Sequence, residues 1–404
     1  MLRVGLTGGI AAGKSLAASA LRELGAVLID ADLLARTVVQ PGTDGLREVV
    51  DAFGPGVLLP DGALDRAALG ARIFDDPNAR STLNGIIHPR VRDKAAEAEA
   101  AAETSSEGAA VVVVHDIPLL VETGQEDRFH LVLVVDAPEE ERVRRMIDNR
   151  GLTEQESLSR IRAQADAVTR NAAADVVLDN SGGPDDLLDA VQRVWSERLL
   201  PFAENLQDGR VAKRWGGPVL VENPDWPRQA GLLVRRLSRV DPRILGVHHI
   251  GSTAVPGLPA ADVIDLQVTV SSLQDADELS SALAAAGFPR PSGPSPDTVP
   301  DRPQEEERHH CNADPGRPVN VHVRVHGSPG WRFALAFRDW LRANSSMAAA
   351  YLAEKERCCE IHRNDPSIAG YSVCKDSWLA ECADPRLKTW IDDASWSPER
   401  APVL

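Results

Sequence analysis

The chain has 404 residues, 43% hydrophobic and 26% charged, which supplies apolar material for two folded cores and excludes a disordered chain. Its net charge of −16 argues against non-specific binding of nucleic acid or membrane by the whole surface, but not against an anion held by a local nest or a local Arg/Lys set. The longest apolar runs, such as Val111–Val114, are far too short to cross a bilayer, the N-terminus reads as a buried strand and not a targeting segment, and five cysteines without C-x-x-C spacing point to a reducing, cytoplasmic compartment.

The first half alternates short apolar strands with helical stretches, which predicts an α/β unit with a mainly parallel sheet. Strands are expected over 2–7, 26–30, 111–117, 131–137 and 176–180, all rich in Val, Leu or Ile as fully buried strands are. Between the first strand and a helix stands Gly8-Gly9-Ile10-Ala11-Ala12-Gly13-Lys14-Ser15, a G-x-x-x-x-G-K-S phosphate loop. A chance match is expected in roughly one chain in a hundred of this length. Glycines let the backbone N–H groups of Gly8, Gly9, Ala11, Ala12 and Gly13 face phosphate oxygens, and the helix opening at Lys14, Ser15 and Leu16 adds partial positive charge. Lys14 reaches the β- and γ-phosphates and the Ser15 hydroxyl can ligate Mg²⁺, so ATP or GTP is the expected ligand. No N-K-x-D motif of GTPases and no L-S-G-G-Q motif of ABC ATPases follows.

The second strand ends in Asp30-Ala31-Asp32, two carboxylates where strand ends face a bound nucleotide. An Asp there can take a proton from an attacking hydroxyl or help hold Mg²⁺; the plainer job for Asp32 is a helix N-cap before Leu33-Leu34-Ala35. The third strand ends at Asp116, the Walker-B position that acts on Mg²⁺ through water. Residues 138–170 then carry seven arginines, Arg142, Arg145 and Arg170 among them. They read either as a helix face ion-paired with Glu139–Glu141 or as a lid that closes over phosphates, with Asn149-Arg150-Gly151 at its tip.

This ordered set resembles the dephospho-coenzyme A kinase family over roughly residues 1–200. The resemblance rests on Leu6–Ile10 through Lys14-Ser15, Asp30-Ala31-Asp32 with Ala35-Arg36, Leu83–Pro89, Asp116–Glu122, the Arg145 helix, Gln164, Arg170, and Ala174-Asp175 leading to Asp179–Gly182. It implies transfer of the γ-phosphate of ATP to the 3′-hydroxyl of the ribose of dephospho-coenzyme A. Asp32 would be the general base, Lys14 the phosphate clamp and Arg145 a lid arginine on the transferring phosphoryl. Arg142 and Asn180 would contact ATP, Asn180 near the adenine. Asp30, Arg36, His88, Asp116 and Leu119 would meet the acceptor, with a helical subdomain over about 36–100. Two departures stand out: Ala11 and Ala12 replace the usual Gly or Ser, which matters at position 11 if the backbone needs φ > 0, and Asn149-Arg150-Gly151 displaces the lid-tip arginine. The alternatives are another P-loop kinase of small metabolites, or a nucleotide-dependent switch.

Composition changes after residue 200, where all five cysteines, both tyrosines and seven of eight tryptophans lie, so domains are expected over 1–204 and 205–404. From about 215 to 385 the chain resembles the GrpB family, with a nucleotidyltransferase-like α+β fold, on His249–Leu258, Val263–Val268, Asn320–Val325 and Phe337–Arg342. Two-metal transfer wants two carboxylates two residues apart on one strand face; here they are Asp265 and Gln267, so a non-catalytic module is expected, one that docks on the kinase and stabilises or regulates it. The valines at 319, 321, 323 and 325 alternate with polar residues, which predicts a half-solvated strand, with a polar pocket wall as the other possibility. His309-His310-Cys311 does not have the spacing of a zinc site. Residues 289–308, with six prolines, read as a flexible surface loop.

Overall fold

In the computed structural model, which describes residues 1–214, 216–292 and 307–398, the chain divides into two compact units, Met1–Trp195 and Ser196–Leu404. The five expected strands of the first unit are present: β1 (Leu2–Gly8), β2 (Val27–Asp30), β3 (Val112–Asp116), β4 (Leu131–Asp136) and β5 (Val176–Asp179). They form one parallel sheet in the order β2-β3-β1-β4-β5. Val113 and Val114, neighbours that point to opposite faces, are both fully buried, so the sheet is covered on both sides. Pairing sets Leu6 beside Asp116 and Asp116 beside Asp30. The loop after β1 and the aspartates ending β2 and β3 therefore share one rim.

The helices of this unit are α1 (Lys14–Glu23), α2 (Ala31–Thr37), α3 (Asp44–Phe53), α4 (Arg66–Ile73), α5 (Pro77–Ser105), α6 (Glu139–Arg150), α7 (Glu154–Arg162), α8 (Ala167–Ala172) and α9 (Pro184–Val194). The cap expected from Asp32 is made by Asp30, whose carboxylate accepts from the Leu33 N–H at 2.9 Å. The helix begins two residues earlier than a cap at Asp32 implied, so Asp32 lies in its first turn, exposed and without a hydrogen bond among the described residues. Helices α3 to α5 carry a small core of their own around Val38, Val49, Val57 and Leu83. Helix α6 stops because Gly151 adopts a left-handed conformation, and α7 restarts at once from a capping box of Thr153 and Glu156. Asn149–Gly151 is thus the tip of a helical hairpin.

The second unit comprises α10 (Leu200–Asp208), β6 (Leu220–Val221), α11 (Trp226–Leu237), β7 (Gly246–Ile250), β8 (Ala260–Ala261), β9 (Ile264–Val270), α12 (Leu273–Glu278), α13 (Ser280–Ala285), β10 (Glu307–Cys311), β11 (Val319–Val325), α14 (Pro329–Ala343), α15 (Ser345–His362), α16 (Ala369–Trp378) and α17 (Asp384–Asp393). Its main sheet has the order β10-β11-β9-β7, with β9 and β11 parallel and the other pairs antiparallel. One face is apolar: Ile264, Leu266, Val268 and the valines of β11 pack with Leu237, Leu279 and Leu283. The half-solvated face expected opposite is instead buried. Gln267 is 0% exposed, His322 7% and Asn320 8%, because α14 and α16 lie across them and an aromatic core of Phe337, Trp340, Tyr351 and Trp378 backs those helices.

Histidines 309 and 310 diverge across β10, where His310 bonds the Phe288 carbonyl at 2.8 Å, so they do not converge on an ion. Cys358 and Cys374 form a disulfide between α15 and α16, a pairing their spacing did not indicate and a departure from the reduced cysteines expected of the chain; Cys311, Cys359 and Cys382 are not in disulfides. The proline-rich loop expectation falls largely on residues 293–306, outside the described residues. Among the described residues no helix is long and apolar enough to cross a membrane.

Lys355 on α15 is 1% exposed, donates to the Pro259 carbonyl and faces the Tyr351 ring. Burial, with Lys375 nearby, lowers its pKa from 10.5 to about 7. Between those values the unfolded chain holds a proton that the folded one lacks, so this group makes stability rise with pH across the window. Thermal melts from pH 6 to 10 should show this slope in the wild type and a shallower one in Lys355→Met.

Candidate active site

The phosphate loop folds back on itself between β1 and α1, with Ala12 N–H donating to the Gly9 carbonyl at 2.9 Å. It is held from behind. Asn180 Nδ2 donates to the Ala12 carbonyl at 2.7 Å, and Arg145 donates to the carbonyls of Ala11 (3.4 Å), Ala12 (3.3 Å) and Asn180 (3.0 Å). Gln164 accepts from the Ile10 N–H at 2.7 Å, tying the segment before α8 to the loop. Arg145, expected over the transferring phosphoryl, thus has its donors on loop carbonyls and on Glu141, 2.8 Å away. Asn180, expected near the adenine, is buried and shapes the loop.

Two backbone positions are constrained. Gly13 has φ 108°, and a Cβ there would overlap the Asn180 amide. Ala11 has φ 60°, the left-handed conformation that costs a non-glycine residue roughly 1–2 kcal/mol.

Lys14 makes an ion pair with Asp116 across the rim. Burial pushes the Asp116 carboxyl upward; Lys14 opposes that shift, and Asp30 and Asp32 reinforce it. Three carboxylates therefore act on one another beside one ammonium. With the exposed Ser15 hydroxyl they form a set of hard oxygen donors with excess negative charge, which fits Mg²⁺. Leu33 and Leu119, 59% and 46% exposed, put apolar surface one and three residues after Asp32 and Asp116. Leu16 is half-buried in the first turn of α1. Arg36 and His88 are exposed on α2 and α5, helices that pack together. No contact links His88 to the rim among the described residues.

Facing the other side of the loop, Arg142 and Arg170 are 4% and 1% exposed. A Cβ on Gly9 would overlap Arg142 Nη1 and stand 3.0 Å from Arg170 Nη2. Nε and Nη1 of Arg142 and Nε and Nη2 of Arg170 are buried without a hydrogen-bond partner. The nearest carboxylate, Asp136, is 4.0 Å from Arg170. Burial and the neighbouring Arg170 lower the pKa of Arg142. Arg170 also donates to the Ala165 carbonyl, but two buried cations that share one distant carboxylate and keep open donors are costly unless an anion completes them. Arg142 also lines an open cavity of about 640 Å³ shared with Arg162, Gln164 and Asp136. Arg170 was legible as one arginine of a basic cluster and as a residue of the family resemblance, with no role attached; its burial against Gly9 is a tertiary property that the spacing does not carry.

A parallel sheet with a phosphate loop after its central strand, acids on the adjoining strand ends and an arginine-bearing helical hairpin define the first unit as a P-loop, ATP-dependent kinase of the small-molecule type. The dephospho-CoA kinase family model matches residues 2–186, and that of GrpB protein matches residues 218–384. A dephospho-CoA kinase of Mycolicibacterium paratuberculosis is 47% identical over 98% of this chain and 100% of its own length. One from Streptomyces avermitilis is 50% identical over 49% of this chain and 94% of its own length. A Thermus thermophilus protein of known crystal structure is 37% identical, covering 48% of this chain and 97% of its own, with a TM-score of 0.43. The chain belongs to the dephospho-CoA kinase family.

Substitutions at the two strained loop positions should act in opposite directions. Gly13→Ala should destabilise the fold by at least ~1–2 kcal/mol and weaken nucleotide binding. Ala11→Gly should raise stability slightly, since relief of strain exceeds the roughly 0.5–1 kcal/mol of added chain entropy. Melting curves with and without ATP measure both.

Proposed function

We propose that residues 1–204 transfer the γ-phosphate of ATP to the 3′-hydroxyl of dephospho-coenzyme A, in the cytoplasm, where ATP is available. The observation that carries this reading is the meeting, on one sheet rim, of a phosphate loop, a Lys14–Asp116 pair and an exposed Asp32 freed of capping duty by Asp30. Asp32 takes the proton of the attacking hydroxyl. The oxygen of that hydroxyl bonds to the γ-phosphorus, the bond from that phosphorus to the β–γ bridging oxygen breaks, and ADP leaves carrying the electron pair.

Lys14 exchanges Asp116 for the β- and γ-phosphates. Ser15 and Asp116 would hold Mg²⁺, Asp116 through water; the ion neutralises phosphate charge when bound. Arg142 and Arg170 give their open N–H groups to the phosphoryl side of the loop, and Arg145 acts as a positioning residue through the Ala11 and Ala12 carbonyls. In this reading Arg36 and the exposed leucines 33 and 119 meet the acceptor, as does His88 on α5.

The second unit is read as non-catalytic. Gln267 stands where a second acid is needed, fully buried, its amide bonded to the Trp331 carbonyl and to Arg324. The Streptomyces avermitilis relative, which matches the first half alone, supports a kinase self-sufficient in its chemistry, with the second unit stabilising or regulating it.

ADP release measured with ATP, Mg²⁺ and dephospho-coenzyme A tests the reading. Asp32→Asn should lower kcat by about 10²–10⁴-fold while ATP affinity is kept. Arg170→Met should cost about 10²-fold or more. ATP binding by the wild type without acceptor-dependent turnover would instead point to another acceptor or to a nucleotide switch.

A further inference from the structure

The second unit carries a half-open cavity of about 220 Å³ that the phosphotransfer reading does not use. Its floor is the buried polar face of the sheet, with Asp265 on β9 and Asn320, His322 and Arg324 on β11. Its roof includes Phe333 from α14 and Tyr371 and Lys375 from α16. A sheet face this polar is rarely buried without a reason, because each group must find a partner.

The floor is satisfied internally. Asn320 donates to Asp265 at 2.9 Å. Glu307 meets His322 at 3.1 Å and Arg324 at 2.7 Å, and Arg324 also donates to Gln267 at 2.8 Å. Each of these carboxylates is therefore already engaged. The roof differs. Lys375 has no carboxylate partner among the described residues; its ammonium sits over the Tyr371 ring, 4.3 Å from the centroid. An ammonium resting on an aromatic face keeps N–H donors free to point into the cavity. The Ser252 hydroxyl also lines the cavity and makes no hydrogen bond among the described residues. Phe333, stacked on Phe337 at 5.6 Å and only half-buried, presents a flat apolar surface beside these donors.

We propose that this cavity binds a small organic anion, a phosphate monoester or carboxylate attached to a flat ring, with its head group on Lys375 and Ser252 and its ring against Phe333. The site binds without transferring a group, because Gln267 replaces the second acid of two-metal chemistry.

Isothermal titration of the full chain with phenyl phosphate, benzoate and inorganic phosphate tests this. At least one of the two ring-bearing probes should bind the wild type and Lys14→Ala alike. It should weaken by about tenfold or more in Lys375→Met, the loss expected for one charge-assisted hydrogen bond. Lys375→Arg should restore much of the affinity, which separates loss of the cation from loss of the fold. Binding of phenyl phosphate alone or benzoate alone upholds the site and assigns its head group. Three results would overturn the proposal: no binding of either ring-bearing probe at millimolar concentration, equal affinity in Lys375→Met, or loss of binding in Lys14→Ala, which would place the probe on the phosphate loop. Inorganic phosphate binding as tightly as phenyl phosphate would overturn the ring half of the assignment.

Discussion

The ion pair between Lys14 and Asp116 joins the two halves of the phosphotransfer site. Lys14 opens α1 at the end of the phosphate loop and Asp116 closes β3, and they meet because β1 and β3 are neighbours in parallel register. The same register brings Asp30 beside Asp116, and α2, capped by Asp30, then carries Asp32 onto the rim. A slip of one residue between β1 and β3 would turn Asp116 toward the opposite face and dismantle the arrangement. The buried Leu2, Val4, Leu6 and Val112 to Val114 of β1 and β3 fix that register, so the chemistry depends on a core with no catalytic group of its own.

The parts of this unit set by local pattern were legible. Five short runs of β-branched and aliphatic residues gave five strands within a residue or two of their observed ends, and G-x-x-x-x-G-K-S gave the loop. The departure at Ala11 falls on a left-handed residue, since the loop needs that backbone turn whichever side chain is present. The cap was harder to read. Asp30 and Asp32 are both good capping residues, and a two-residue shift in the helix start decides which is used. The arginines were hardest. Arg142, Arg145 and Arg170 look alike in sequence, yet one is spent on backbone carbonyls and two are buried with donors open. Only the packing of α6 and α8 against the loop distinguishes them.

In the second unit the alternation along β11 located the strand and its two faces correctly, but not the solvent. Period-two patterning reports which residues share a face; it cannot say whether a helix later covers the polar one. Here α14 and α16 do, and the polar face becomes the wall of a cavity. The Cys358–Cys374 bridge escaped notice for a similar reason, being formed between two helices whose packing no local signal announces.

The open donors of Arg142 and Arg170 also bear on folding. Without an anion the first unit holds two desolvated positive charges with nothing to balance them fully, so a bound polyphosphate contributes to the fold as well as to the reaction. By linkage, a ligand at a hundred times its dissociation constant adds about 2.7 kcal/mol to the folded state, a sizeable fraction of a typical domain's margin. The nucleotide-free chain therefore opens more often than the loaded one and offers more of its backbone to proteases, a consequence of where two guanidinium groups are buried.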